Sequence, residues 1–122
     1  MTIRVVALIK KKEGMTHEEF SDYWGKNHSK IFTSLKAVKQ NLIKYNQFHV
    51  LPKLQDEFAS LGMSLAPYDG AAEFWCEKKE DIFALFSDEE YRQNAVPDEQ
   101  KFLDRAAVDI LVGEDQLKFQ KA

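Results

Sequence analysis

Residues Thr2 to Lys10 set Ile3, Val5, Ala7 and Ile9 on one side of an extended chain and Val6 and Leu8 on the other. A strand that is apolar on both faces needs a covering layer on each side. A sheet with one face in water alternates apolar with polar instead. Gly14 ends this strand. Asn41 to Leu51 reads as a second strand, stopped by Pro52, which also opens a short helix over Lys53 to Leu61. Pro67, Asp69 and Gly70 make a turn into a third strand, Ala71 to Glu77. Glu80 to Phe86 is a helix, Ser87 to Glu90 has a capping-box pattern, and Pro97-Asp98-Glu99 starts a last helical turn. Ala106 to Val112 is the fourth strand, stopped by Gly113. The order β-α-β-β-α-β predicts an α+β fold, the ferredoxin-like plait, with helices on one face of an antiparallel sheet. No segment is left to cover the other face. A second copy of the chain is the simplest cover, so the expectation is a homodimer packed sheet to sheet.

The first helix is marked most clearly. Thr16 and Glu19 have capping-box spacing, and Phe20, Tyr23, Trp24, His28 and Ile31 then fall on one helical face. That face is aromatic and carries one titratable group, His28. It reads either as a core imidazole that satisfies the helix end or as an acid/base group in a pocket.

Composition removes several classes of function. The 122 residues suit one domain, with a core over about residues 2–113 and an extended tail over 114–122, lying on the surface or on a partner. A net charge of −3 argues against generic binding to nucleic acid or anionic membrane. Cys76 is the single cysteine, so neither an internal disulfide nor a thiolate zinc cluster can form, and it reads as an inert core residue. The start of the chain lacks a signal-peptide pattern and no apolar run is long enough to span a membrane, so a cytoplasmic protein is expected. The three histidines lack metal-ligand spacing and no glycine-rich phosphate loop is present; neither a metal nor another cofactor is expected.

Three segments match a known pattern. Residues 10–28 run from three lysines through a glycine to Thr-x-Glu-Glu-Phe and Tyr-Trp-x-x-x-His. Residues 44–49 read Lys-Tyr-Asn-Gln-Phe-His, and residues 68–75 begin Tyr-Asp-Gly. The chain resembles the EthD-type members of the dimeric α+β barrel superfamily, particularly the fungal EthD proteins encoded with aromatic polyketide pathways. The resemblance spans about residues 2–113 and implies the same plait and a dimer. It also implies kinship with decarboxylases, dehydratases and cyclases of polyketides.

Several residues are candidates for such chemistry. Tyr45, Gln47 and His49 alternate along one face of the second strand, an unusual row for a core strand. The resemblance makes that strand part of the pocket. It therefore makes His49 a catalytic candidate beside His28, and Gln47 a substrate contact. Tyr45 can donate to a carbonyl or enolate, or simply pack. Asp69 can orient a histidine, or serve only the turn with Gly70. Phe20, Trp24 and Trp75 are expected among the aromatic walls of a flat cavity. Glu73 and Asp109 sit within strands and are expected to pair with Arg4 or Arg105. His17 is read as exposed, without a role. These residues suit a cofactor-independent lyase that decarboxylates or dehydrates an aromatic polyketide by histidine acid/base catalysis. A cyclase, a cofactor-free monooxygenase and a non-catalytic carrier of a hydrophobic metabolite are the alternatives.

Overall fold

The computed structural model describes residues 2–122. Four antiparallel strands, β1 (Ile3–Ile9), β2 (Lys44–His49), β3 (Gly70–Cys76) and β4 (Asp109–Gly113), lie in the order β2-β3-β1-β4. With helices between β1 and β2 and between β3 and β4, this is the expected ferredoxin-like plait. The register sets Val5 opposite both Phe74 and Val112, and Phe74 opposite Tyr45. Odd residues of β1 and β2 and even residues of β3 and β4 therefore share the helix-covered face.

The first helical run begins at α1 (His17–Tyr23). Its capping box is formed: Thr16 Oγ1 accepts from the Glu19 amide at 3.1 Å, and Glu19 accepts from the Thr16 amide at 2.9 Å. A π-turn over Trp24–His28 follows, then α2 (Ser29–Ser34), with no break in helical backbone. The π-turn changes which residues face inward. Phe20, Trp24, His28 and Phe32 are all buried, at intervals of four. In a regular α-helix each four-residue step drifts by about 40°. The widened turn, in which the Ser29 amide reaches back to the Trp24 carbonyl, takes that drift out. Phe32 rather than Ile31 consequently completes the buried face.

α3 (Lys36–Asn41) continues the helical layer and ends where the second strand was expected to start, so β2 is shorter than the apolar pattern suggests. Leu35 precedes α3 without a side-chain cap, which leaves no start signal in the sequence. α4 (Pro52–Ser60) lies between β2 and β3, and α5 (Lys79–Phe86) follows β3. A second π-turn, Tyr91–Ala95, runs directly into α6 (Val96–Glu99). Pro97 has no amide hydrogen and its ring crowds the carbonyl four residues back. A widened turn just before it accommodates the ring inside a continuous helical run. The fourth strand starts at Asp109 rather than Ala106, because Asp104 caps a 3-10 turn over Arg105–Ala107.

The core lies between the helices and the sheet, around Phe20, Trp24, Phe32, Phe74, Leu85 and Phe102. The rim of the Trp24 indole abuts Gly70. A Cβ there would come within 2.6 Å of the indole and 2.9 Å of the Phe48 carbonyl oxygen, so only glycine fits. The opposite face of the sheet carries Val6, Leu8, Phe48 and Leu111 together with an Arg4–Glu73 ion pair. Asp109 does not pair with an arginine; it accepts from the Tyr68 hydroxyl. No helix among the described residues is long and apolar enough to cross a membrane.

Candidate functional site

A cavity of about 280 Å3 opens between the helical layer and the sheet, near edge strand β4. Its walls are largely apolar: Val5, Ala7 and Ile9 from β1, Ala72 and Phe74 from β3, and Trp24 and Phe32 from the first helical run. Four polar side chains interrupt them: His28, Tyr91, Glu99 and Arg105.

The π-turn carries His28 into the wall. Its Nδ1 lies 2.9 Å from Asp98 Oδ2, and both side chains are buried. The other oxygen of Asp98 accepts from the Tyr23 hydroxyl, with Lys101 Nζ 3.8 Å away. Asp98 is thus an acceptor toward both neighbours, which fixes the His28 proton on Nδ1. In the neutral ring the lone pair then lies on Nε2, which has no hydrogen-bond partner among the described residues. An imidazole held in this tautomer beside an open cavity can act as a base. The bond to Asp98, reinforced by burial, pushes the Tyr23 phenol up to about 12, so it stays a proton donor.

The second π-turn and α6 supply the other groups. The Tyr91 hydroxyl donates to Glu99 Oε2 at 2.8 Å, and Arg105 Nε lies 3.1 Å from Glu99 Oε1. Burial raises the Glu99 carboxyl above its ordinary value, against the opposing pull of the Tyr91 bond, His28 and Arg105. Burial, with the Glu99 charge next, also raises Tyr91. A carboxyl that holds its proton more tightly than usual is suited to act as an acid. Arg105 is half exposed at the mouth. The cavity thus holds an oriented imidazole, a desolvated carboxyl, a phenol and a cation within apolar walls.

Of the residues singled out in the sequence, the structure brings Trp24 and His28 to this cavity. Tyr45, Gln47 and His49 share the helix-covered face but lie beside it, in a separate network. His49 Nε2 donates to Gln47 Oε1 at 2.8 Å, and its Nδ1 accepts from the Ser21 hydroxyl at 2.5 Å. Gln47 in turn donates to the Trp24 carbonyl at 3.0 Å and to the Tyr45 oxygen at 2.9 Å. Both ring nitrogens of His49 are therefore engaged, and the ring packs on Trp24 and against Gly25. Burial, with His17 nearby, lowers the His49 pKa. Burial pushes Tyr45 up to about 12.

Asp69 does meet a histidine, but it is His17. His17 Nδ1 lies 3.4 Å from Asp69 Oδ1, and its Nε2 donates to the Val50 carbonyl at 2.8 Å. His17 is partly buried rather than exposed, and Asp69 also accepts from the Lys11 amide at 2.8 Å. Phe20 is fully buried behind Trp24 and does not line the cavity. Trp75 is on the other face of the sheet, because period-two alternation from Phe74 turns it outward; its indole donates to Asp115 at 2.7 Å. Among the described residues, no group of three or more His, Cys, Asp or Glu is arranged to hold a metal ion.

Asp98, Glu99, Tyr91 and Arg105 were not among the sequence candidates. A signal for two of them exists: Tyr91, Ala95, Asp98 and Phe102 recur at helical intervals and are all buried. An acid on a buried helical face needs a partner.

The EthD domain model matches residues 12–106. A conidial pigment biosynthesis dehydratase EthD from Metarhizium robertsii is 27% identical over 111 residues, covering 84% of this chain and 75% of that protein. Among solved structures, an EthD family protein from Bacillus halodurans superposes with a TM-score of 0.63 at 14% identity, over 95% of this chain and all of that one. A dimeric ferredoxin-like protein of unknown function from Thermobifida fusca superposes with a TM-score of 0.56 at 18% identity, over 96% and 92% of the two chains.

Proposed function

This chain belongs to the EthD domain family, and from that membership we propose that it is a cofactor-independent lyase that dehydrates an aromatic polyketide intermediate. The observation that carries the reading is the pairing, in one apolar cavity, of the Asp98-oriented His28 with the desolvated Glu99 carboxyl. The Metarhizium relative, named for a dehydratase of pigment biosynthesis, supports the same direction.

Loss of water from a β-hydroxy ketone needs a base and an acid. His28 Nε2 takes the proton next to the ketone, and the electron pair moves onto the carbonyl oxygen. As the enolate collapses, the carbon–carbon double bond forms, the carbon–oxygen bond breaks, and Glu99 gives its proton to the leaving hydroxyl. Arg105 at the mouth stabilises the enolate oxygen. Asp98 stabilises the imidazolium formed at His28, and Tyr23 holds Asp98 in place. Acid/base chemistry of this kind runs on side chains alone. A volume of about 280 Å3 is at the small end of ligand pockets, which suits one or two fused rings.

His49, Gln47 and Tyr45 have a positioning role in this reading. They tie the first helical run to β2 and hold the Trp24 wall. Decarboxylation is the second reading, favoured by the aromatic walls, which would strip water from a carboxylate. Incubation with a hydroxytetralone, whose dehydration gives a naphthol, followed by mass analysis tests the proposal. Loss of one water supports it. Loss of carbon dioxide from the corresponding aromatic acid supports the second reading, addition of oxygen a monooxygenase, and tight binding without mass change a carrier.

We also infer that the protein works as a homodimer. Val6, Leu8, Phe48 and Leu111 leave apolar area on the outer sheet face around the Arg4–Glu73–Asn46 cluster, and the Thermobifida neighbour is described as dimeric. A specific interface of this kind buries on the order of 1,600 Å2 in total. Sedimentation as a monomer at micromolar concentration would remove the inference.

A further inference from the structure

We propose that Tyr91 is a catalytic proton relay: its hydroxyl hands the proton to the leaving hydroxyl of the substrate, and the Glu99 carboxyl replaces it in the same step. This rests on the dehydration proposed above and refines its acid step.

Glu99 is met by two different kinds of donor. Arg105 Nε lies 3.1 Å from Glu99 Oε1, and the Tyr91 hydroxyl lies 2.8 Å from Oε2. A guanidinium has donors only, so Oε1 has to stay an acceptor whatever the charge of the carboxyl. An acidic proton on Glu99 therefore belongs on Oε2, facing Tyr91. A hydroxyl, unlike a guanidinium, can turn from donor to acceptor. When Oε2 carries the proton, the Tyr91 oxygen accepts that hydrogen bond and the phenolic hydrogen swings away. The proton of the loaded carboxyl is then held by Tyr91 and does not itself meet a ligand. Burial, which raises the Glu99 carboxyl, favours this protonated form.

Tyr91 is buried, and it lines the cavity beside Glu99. Phe86 meets its ring edge-on at 5.1 Å and Phe32 at 6.5 Å, so the ring is held while the hydroxyl hydrogen can rotate. Among the described residues the hydroxyl has no hydrogen-bond partner other than Glu99. An acceptor for the turned hydrogen has to come from what occupies the cavity, and the departing hydroxyl of the substrate is such an oxygen.

The transfer balances. As the enolate forms its carbon–carbon double bond, the carbon–oxygen bond breaks and the leaving oxygen takes the Tyr91 proton, departing as water. The Oε2 proton of Glu99 moves onto the Tyr91 oxygen. The phenol ends whole, and Glu99 ends as a carboxylate against Arg105. The proton taken by His28 then returns to Glu99 through solvent at the mouth. Tyr91 never has to ionise. In keeping with that, burial and the Glu99 charge both make its phenol harder to ionise.

Four measurements on the full chain test this. Tyr91→Phe keeps the ring and its packing; kcat on the hydroxytetralone should fall by about 10²-fold or more with KM nearly unchanged. The double variant Tyr91→Phe/Glu99→Gln should stay within about threefold of the slower single variant, because links of one relay fail together. The third measurement needs no variant. Two exchangeable protons move in one step, so rates in mixtures of light and heavy water should fall below the straight line joining the two pure solvents. The fourth uses probes that cannot react: β-tetralol keeps the hydroxyl and lacks the ketone, and tetralin lacks both. The unsubstituted protein should bind β-tetralol at least about threefold tighter than tetralin, and Tyr91→Phe should bind the two alike. Full turnover in Tyr91→Phe, multiplied losses in the double variant, a straight-line solvent dependence, or a β-tetralol preference that survives the substitution overturns the relay. Each of these leaves Glu99 as the direct acid. A hydroxytetralone that loses no water with the unsubstituted protein overturns the dehydration and the relay together.

Discussion

Asp98→Asn should disable the site by reversing a tautomer. The native carboxylate accepts from His28 Nδ1 and from the Tyr23 hydroxyl, and both bonds lie in a buried pocket. An asparagine has one acceptor and one donor face. Its amide NH2 must meet either Tyr23, whose hydroxyl can turn to accept, or His28. Meeting His28 requires Nδ1 to lose its proton, which moves to Nε2 and faces the cavity, so the base is gone. Meeting Tyr23 keeps the tautomer but removes the charge that stabilises the imidazolium. Either way turnover should drop by roughly 10²- to 10⁴-fold, the range for losing a positioned proton carrier. Hydrogen bonds to a charged group are worth about 1.5–3 kcal/mol each. Weakening both while leaving the site filled should cost about 2–4 kcal/mol, which lowers the melting temperature by on the order of 10 °C for a chain of this size. The assays are thermal melting, turnover, and nitrogen-15 NMR of the His28 ring, which reports the tautomer without any substrate. A variant with unchanged melting, turnover and ring signals would refute the assignment of His28 and Asp98 as a working pair.

Three other outcomes are expected. Gly70→Ala puts a methyl group into the Trp24 ring and the Phe48 carbonyl, and should lower stability by about 1–3 kcal/mol in denaturant titration. Because burial lowers the His49 pKa, the stability this residue gives is complete above the ordinary imidazole value of about 6.5 and fades as pH falls through the lower folded value. The melting temperature should therefore fall from pH 7 toward pH 5, and His49→Gln should flatten that limb. Glu99 has the opposite sign: its raised carboxyl favours the fold most below the ordinary carboxylate value, and that contribution is lost as pH rises through the folded value. Glu99→Gln should remove this loss in melting curves taken up to pH 8 while cutting turnover by about 10²-fold or more.

Much of the architecture was legible because local signals and burial agreed. Thr16 and Glu19 marked the start of the first helix, Pro52 the start of α4, and the two-sided apolar pattern of Ile3 to Ile9 a strand, which the structure puts inside the sheet. The candidate site was only half legible. His28 stood out as a lone polar group on an aromatic face. Its partner Asp98 is 70 residues away, behind a proline that reads as a helix start and not as the middle of a helical run. The His49 row was visible, but not its use: two hydrogen bonds from Ser21 and to Gln47 consume the ring, and neither is implied by strand periodicity. Neither π-turn was foreseeable from a 3.6-residue pattern. Each adds one residue to the helical repeat, and so changes which side chain reaches the interior.

The two tryptophans are separated by the sheet. Trp24 forms part of the cavity wall on one face, its ring rim against Gly70, and Trp75 lies on the other, beside the Arg4 and Lys44 side chains and hydrogen-bonded to Asp115. The molecule therefore carries two built-in fluorophores that see different events. With Trp75→Phe, the remaining emission follows occupancy of the cavity. With Trp24→Phe, it follows the Asp115 contact and whatever settles on the outer face. Ligand binding and association between copies become optically separable in the same chain, without a label.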